Sequence, residues 1–157
     1  MSREEHTVDI EYRRLAPSDI SLALGMNADF REGLIDRAAV EKFLNGDRNR
    51  LFAAIYADKV VGFAYGYRMA RMDGKSDMLY IHEVGVADAM QRRGVGTALM
   101  RALLDGARRE GIGKAFLVTS RSNAAANALY RKVGGEVSSD SGGDDICYFF
   151  MPEEGAK

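Results

Sequence analysis

Gln91-Arg92-Arg93-Gly94-Val95-Gly96-Thr97 stands where two unlike segments meet. Ahead of it, Met78 to Val86 is apolar and rich in β-branched residues, which reads as a strand. Behind its first residues, Val95, Leu99 and Leu103 recur every fourth position beside Ala98, Ala102 and Ala107. Met90 to Glu110 therefore reads as a long amphipathic helix, stopped by Gly111 and Gly113. The first turn of a helix carries backbone N–H groups with no intrahelical acceptor, at the positive end of the helix dipole. Glycines let an anion approach that backbone, Arg92 and Arg93 add charge and Thr97 a hydroxyl, so the junction suits a pyrophosphate. A glycine pair at a helix start is also, by itself, a plain tight turn. The pattern is not a P-loop, because no Gly-Lys-Ser/Thr follows, and not a dinucleotide fingerprint, because the third glycine is missing.

Elements extend from the junction in both directions. Val8 to Leu15 alternates with period two, as a strand does. Pro17-Ser18-Asp19 opens a helix expected to run to about Asn27, and Asp36 caps a second one ending near Asn45-Gly46. Leu51 to Ala57 and Val60 to Met69 form a hairpin across a short connection. Phe116 to Thr119 is a short buried strand, and Asn123 caps a helix that ends at Gly134-Gly135. Glu136 to Ser138 and Ile146 to Met151 close the chain as strands around a Ser/Gly/Asp loop. The order β-α-α-β-β-β-α-β-α-β-β predicts one α+β domain over residues 1–157, with mixed strand directions.

Composition excludes several classes. The 157 residues are 46% apolar and 29% charged with a net charge of -1, so nothing global points to nucleic acid or an acidic membrane surface. One cysteine, Cys147, allows no intrachain disulfide, and no Cys/His cluster suggests a metal. A polar N-terminus and the lack of a long apolar run point to a cytoplasmic protein without a membrane span. Charge is uneven locally: Gln91 to Lys114 holds six basic against two acidic residues, and Gly134 to Lys157 six acidic against one basic. Either these are ordinary solvated surfaces, or the first faces an anionic ligand and the second a cationic one.

Gln-x-x-Gly-x-Gly after a strand ending in Val84-Gly85-Val86, followed by Asn123-x-x-Ala126-x-x-Leu129-Tyr130-x-Lys132-x-Gly134, resembles the two cofactor motifs of the GNAT superfamily of N-acetyltransferases. The resemblance covers residues 50 to 151. It implies a GNAT fold, a mixed, mostly antiparallel twisted sheet of about seven strands flanked by about four helices. Acetyl-CoA is then the co-substrate, and no metal is needed. It further implies that Val84, Gly85 and Val86 offer backbone groups to the pantetheine arm. Gln91, Arg92, Arg93, Gly94, Val95, Gly96 and Thr97 would cradle the pyrophosphate, with Asn123 and Ala126 also against the cofactor. Asn123 is equally a plain helix cap.

Tyr130 matches the family's tyrosine near the cofactor sulfur, where a phenol can protonate the departing thiolate; periodicity alone would pack it in the core. Glu83 is a carboxylate inside an apolar strand, costly there unless paired or used. By alternation it shares a face with Leu79, Ile81 and Gly85 unless a bulge intervenes, and His82 points to the other face. In several enzymes of the family an acid at this place is the general base, and a structural ion pair is the alternative. The direct-transfer chemistry makes no use of Cys147.

The acceptor end is similar to GNAT-type aminoglycoside 3-N-acetyltransferases in Leu79 through Leu99, in Ala128 through Lys132, in Asp144-Asp145 and in Asp29-Phe30. Those enzymes carry Asp where this chain has Glu83, and often an acid where it has Asn123. The resemblance implies a polycationic aminoglycoside held by Asp29, Glu83, Asp144 and Asp145 and acetylated at its 3-amino group. Asp140, Glu32 and Asp36 would enlarge the acidic mouth. Other amines (a polyamine, a peptide or protein amine, a small metabolite) are the alternative, and a non-catalytic acyl-CoA sensor is a distant one. The exposed edge of the last strand suits a homodimer.

Overall fold

The computed structural model describes residues 9–26, 30 and 36–152. Asp29 and Glu32, two of the expected acceptor-binding acids, lie outside them, as do Val8 and the expected end of the first helix at Asn27. The described elements are β1 (Glu11–Arg14), α1 (Ile20–Gly25), α2 (Arg37–Asn45), β2 (Asn49–Tyr56), β3 (Lys59–Met69), β4 (Met78–Val86), α3 (Val95–Arg109), β5 (Lys114–Ser120), α4 (Ala124–Lys132), β6 (Glu136–Val137) and β7 (Asp145–Phe150). They follow the expected order. The strands form one sheet, β1-β2-β3-β4-β5-β7-β6, in which β4 and β5 run parallel and every other pair antiparallel.

The sheet separates two apolar layers. Under α3 and α4 lie Leu79, Ile81, Leu99, Met100, Leu103, Leu117, Tyr130 and Tyr148. Under α1 and α2 lie Ala23, Leu51, Ala53, Ile55, Val60 and Phe63. Residues 51–55 of β2 are all buried, as expected of a strand covered on both faces. Ala57 and Asp58 turn the β2–β3 hairpin, both at positive φ (49° and 61°), the signature of a primed two-residue turn.

Two sequence expectations need correction. The helix after β4 begins at Val95, not Met90, because Arg92 and Gly94 adopt positive φ (63° and 78°), which no right-handed helix accommodates. Asp88–Met90 instead forms a separate 3-10 turn. The second correction concerns β4. Tyr65 of β3 pairs with Glu83, but Gly66 pairs with Ile81, so His82 is an extra residue in β4. This bulge resets the alternation. Leu79 and Ile81 point into the layer under α3. Glu83 emerges on the opposite face with Phe63, Tyr65 and Tyr67. His82 lies on that face as well, its ring 5.4 Å from Tyr65 and 6.4 Å from Tyr67.

Candidate active site

β4 and β5 pair only over Met78↔Lys114, Leu79↔Ala115 and Tyr80↔Phe116. Beyond that point β4 remains paired with β3 and β5 with β7, so the two parallel strands part. Val84, Gly85 and Val86 lie on β4 beyond the last of these pairs, which leaves backbone groups on that edge without strand partners. A split at the carboxyl ends of parallel strands is a natural ligand crevice. Both following helices begin at that end, α3 after β4 and α4 after β5.

The head of α3 has the geometry expected of an anion cradle. Gly94 sits at its N-cap in the left-handed region, and no side chain caps the first turn. The helix ladder starts with Ala98 N–H donating to the Gly94 carbonyl (3.0 Å), so Val95, Gly96 and Thr97 carry the first-turn N–H groups that have no intrahelical acceptor. Arg92 and Arg93 are exposed. Val95 has a buried side chain, so only its backbone can serve the cradle. Gln91 acts on the protein itself. Its side-chain amide donates to the Val86 carbonyl (3.1 Å) and to Asp88 (3.2 Å), clamping the turn to the end of β4. Gly96 lets α3 approach α4, since a Cβ there would lie 3.2 Å from Leu129.

At the head of α4, Asn123 caps the helix by accepting from Ala126 N–H (3.1 Å). Next to it lies a buried polar link that motif and periodicity do not reveal. Tyr148 O–H donates to the Asn127 side-chain oxygen at 2.6 Å, and the Asn127 amide donates to the Ser120 and Asn123 carbonyls. It ties the open end of β5 to α4 and β7; the one signal in the sequence is an asparagine on the apolar face of a helix. Tyr130 is buried, 7% exposed, its ring against Tyr148 and Phe150. Its hydroxyl has no protein hydrogen-bond partner among the described residues, and burial holds the phenol above its ordinary pKa. A buried phenol that stays protonated keeps an O–H that can donate to an acceptor.

Glu83 lies half-buried on the other face, in the wall of a pocket of about 380 Å³. That wall also includes Phe43, Phe63, Tyr65, Tyr67 and Asp36. Asp144 and Asp145 do not line it. They are exposed at the head of β7, where Asp145 pairs with Ser120 and the Asp144 carbonyl accepts from Arg121 N–H. The structure thus brings Glu83 and Asp36 together and leaves the acidic pair elsewhere. Cys147 is half-buried in β7, and burial raises its thiol pKa. Among the described residues no group of three or more His, Cys, Asp or Glu side chains could hold a metal, and no helix is long and apolar enough to cross a membrane.

The model of the GNAT acetyltransferase family matches residues 22–135. The chain belongs to the GNAT family. Within it, N-alpha-acetyltransferase RimI of Mycobacterium tuberculosis is 37% identical over 97 residues, 62% of this chain and 58% of that one. Streptothricin acetyltransferase of Streptomyces lavendulae is 33% identical over 86 residues, 55% of this chain and 44% of that one. The GNAT chain therefore spans between about two-fifths and three-fifths of these relatives' length. The GNAT fold is shared with an aminoglycoside acetyltransferase from an uncultured soil sample, crystallised with sisomicin (TM-score 0.75, 20% identity, 85% of this chain and 93% of that one). It is shared too with the ribosomal-protein-S18-alanine N-acetyltransferase of Escherichia coli (TM-score 0.68, 22% identity, 91% and 94%).

Proposed function

We propose that this GNAT chain transfers the acetyl group of acetyl-CoA directly to a primary amine, with Glu83 as general base and Tyr130 as general acid. The observation that carries the reading is the bulge at His82. It turns Glu83 onto the pocket face while Tyr130 stays in the layer under α3 and α4, and β4 and β5 part beyond Tyr80 and Phe116. Acetyl-CoA supplies the activated acyl group as a thioester. The first-turn N–H groups of α3, with Arg92, Arg93 and Gly94, suit its pyrophosphate, and the parted edge at Val84, Gly85 and Val86 suits its pantetheine amides. Asn123 and Ala126 stand at the head of α4, which follows β5.

Glu83 removes the proton that keeps the acceptor amine from attacking, and Tyr130 protonates the departing thiolate. Overall, an ammonium and a thioester give an amide, a free thiol and one proton. Replacement of Glu83 by Gln is expected to lower kcat at neutral pH by about 10²- to 10⁴-fold with folding unchanged. Raising the pH should recover part of the loss, because the amine then sheds its own proton. Full activity in both Glu83→Gln and Tyr130→Phe, followed by thiol release, would refute the assignment.

A second reading concerns the acceptor. Exposed Asp144 and Asp145, with Asp140, stand at the open end of β5, and their charge supports a polycation such as an aminoglycoside acetylated at its 3-amino group. Catalysis with kanamycin above the rate with simple amines tests it.

A further inference from the structure

The pocket in front of Glu83 carries an acceptor chemistry in its walls. Period-two alternation along β3 puts Phe63, Tyr65 and Tyr67 on one face. Phe43 closes over them from α2, edge-on to Tyr65 at 5.6 Å and to Tyr67 at 5.9 Å. Phe30 meets Phe63 edge-on at 4.9 Å. The described wall includes two carboxylates, and their duties differ. Asp36 caps α2, accepting from Ala38 N–H at 3.0 Å. Glu83 projects from the bulge among the aromatic rings.

A pocket of this kind matches one ammonium beside one apolar group. An aromatic or branched side chain buries apolar surface against the rings and meets them edge-to-face, while its amine reaches Glu83. A polyamine or an aminoglycoside would press further ammonium and hydroxyl groups against described walls that are mostly apolar or aromatic, and buried polar groups without partners are costly. We infer that the preferred acceptor is a primary monoamine carrying an aromatic or bulky apolar group close to its nitrogen, either free or as the first residue of a peptide. This rests on the reading of Glu83 as the base.

The full chain is assayed by thiol release from acetyl-CoA and, separately, by thermal shift in the presence of CoA. The probes are 2-phenylethylamine, ethylamine, a short peptide beginning with phenylalanine, kanamycin and spermidine. The expected kcat/KM for phenylethylamine or the peptide exceeds that for kanamycin and spermidine by about tenfold or more. The better of the two names the source of the amine. Phe43→Leu should reduce the preference for phenylethylamine over ethylamine by about tenfold, and Tyr67→Leu serves the same purpose if the first variant does not fold. Kanamycin or spermidine matching phenylethylamine overturns the inference and leaves acetyl transfer intact. A thermal shift specific to phenylethylamine without turnover keeps the pocket assignment and overturns the catalytic one. Neither turnover nor a specific shift overturns both.

Discussion

Gly66→Ala tests whether the bulge that turns Glu83 toward the pocket depends on the residue opposite it. A Cβ built on Gly66 would stand 1.9 Å from the Tyr80 carbonyl oxygen, 2.8 Å from its carbon and 2.9 Å from the Ile81 Cα. Carbon–oxygen contacts between adjacent strands settle near ~3.3 Å, so β3 and β4 would have to separate locally by about 1.4 Å. An N–H···O bond of ~2.9 Å does not survive that extension. Losing two ladder bonds at ~0.5–1.5 kcal/mol each, together with an overpacking cost of ~1–3 kcal/mol, gives a destabilisation of about 2–6 kcal/mol. For a chain of this size, ~2–4 °C per kcal/mol converts this to a fall in Tm of about 4–24 °C. If the strands instead relax by expelling the bulge, one residue of slip sends Glu83 back to the face of Ile81 and activity disappears while stability recovers. Urea denaturation and thiol release separate the two outcomes. Gly62→Ala is the control, since its Cβ meets only side-chain methyls of Val95 (3.3 Å) and Ala54 (3.4 Å) at close range and should cost about 1 kcal/mol. A Gly66→Ala protein as stable and active as the Gly62→Ala protein would show that the bulge is not held by this contact.

Gly94→Ala forces a non-glycine residue to φ 78°; it should cost about 1–2 kcal/mol and raise KM for acetyl-CoA more than it lowers kcat. Glu110 pairs with the buried Arg50 at 2.7 Å, and Arg68 and Arg14 approach the same carboxylate. The hydrogen bond from Arg50 lowers its pKa despite partial burial. A depressed folded-state pKa means stability that is present above the unfolded value near ~4.3 and lost as pH falls through the folded one. Glu110→Gln should therefore lose about 1–3 kcal/mol at neutral pH, discounted for partial exposure, and the gap from wild type should close as the pH drops below ~4. Denaturant melts across that range measure it. Ala57→Gly relieves a left-handed alanine in the β2–β3 turn and should raise Tm by about 1–4 °C.

Much of the fold is legible in one dimension because period and punctuation are local properties. The hairpin strands, the Asp36 and Asn123 caps and the stop at Gly111 follow from alternation, side-chain oxygens and glycines, each acting within a few residues. The cradle is legible for the same reason, as consecutive residues at one helix start. Periodicity carries its helix too far toward the N-terminus, back to Met90, because φ values at Arg92 and Gly94 forbid a helix in a segment whose composition does not. Tyr130 is buried in the layer that its periodicity predicts, but that its hydroxyl meets no protein partner among the described residues emerges only from the packing around it.

Glu83 is conspicuous in the sequence as a carboxylate among apolar residues, and so is its neighbour His82. Their orientation is not, because a bulge is a relation between two strands. Gly66 lies against the Tyr80 carbonyl across the ladder, and nothing within β4 records that contact. Which acids share the pocket likewise depends on what folding brings together, and Asp36 lines it while Asp144 and Asp145 do not. The family, the cradle and the out-of-place carboxylate are all written in the linear chain, since they are matters of residue type and short spacing. The face on which Glu83 emerges, and the aromatic walls around it there, arise on folding, since strand register and the packing of α2 over β3 are set by contacts between residues far apart in the chain.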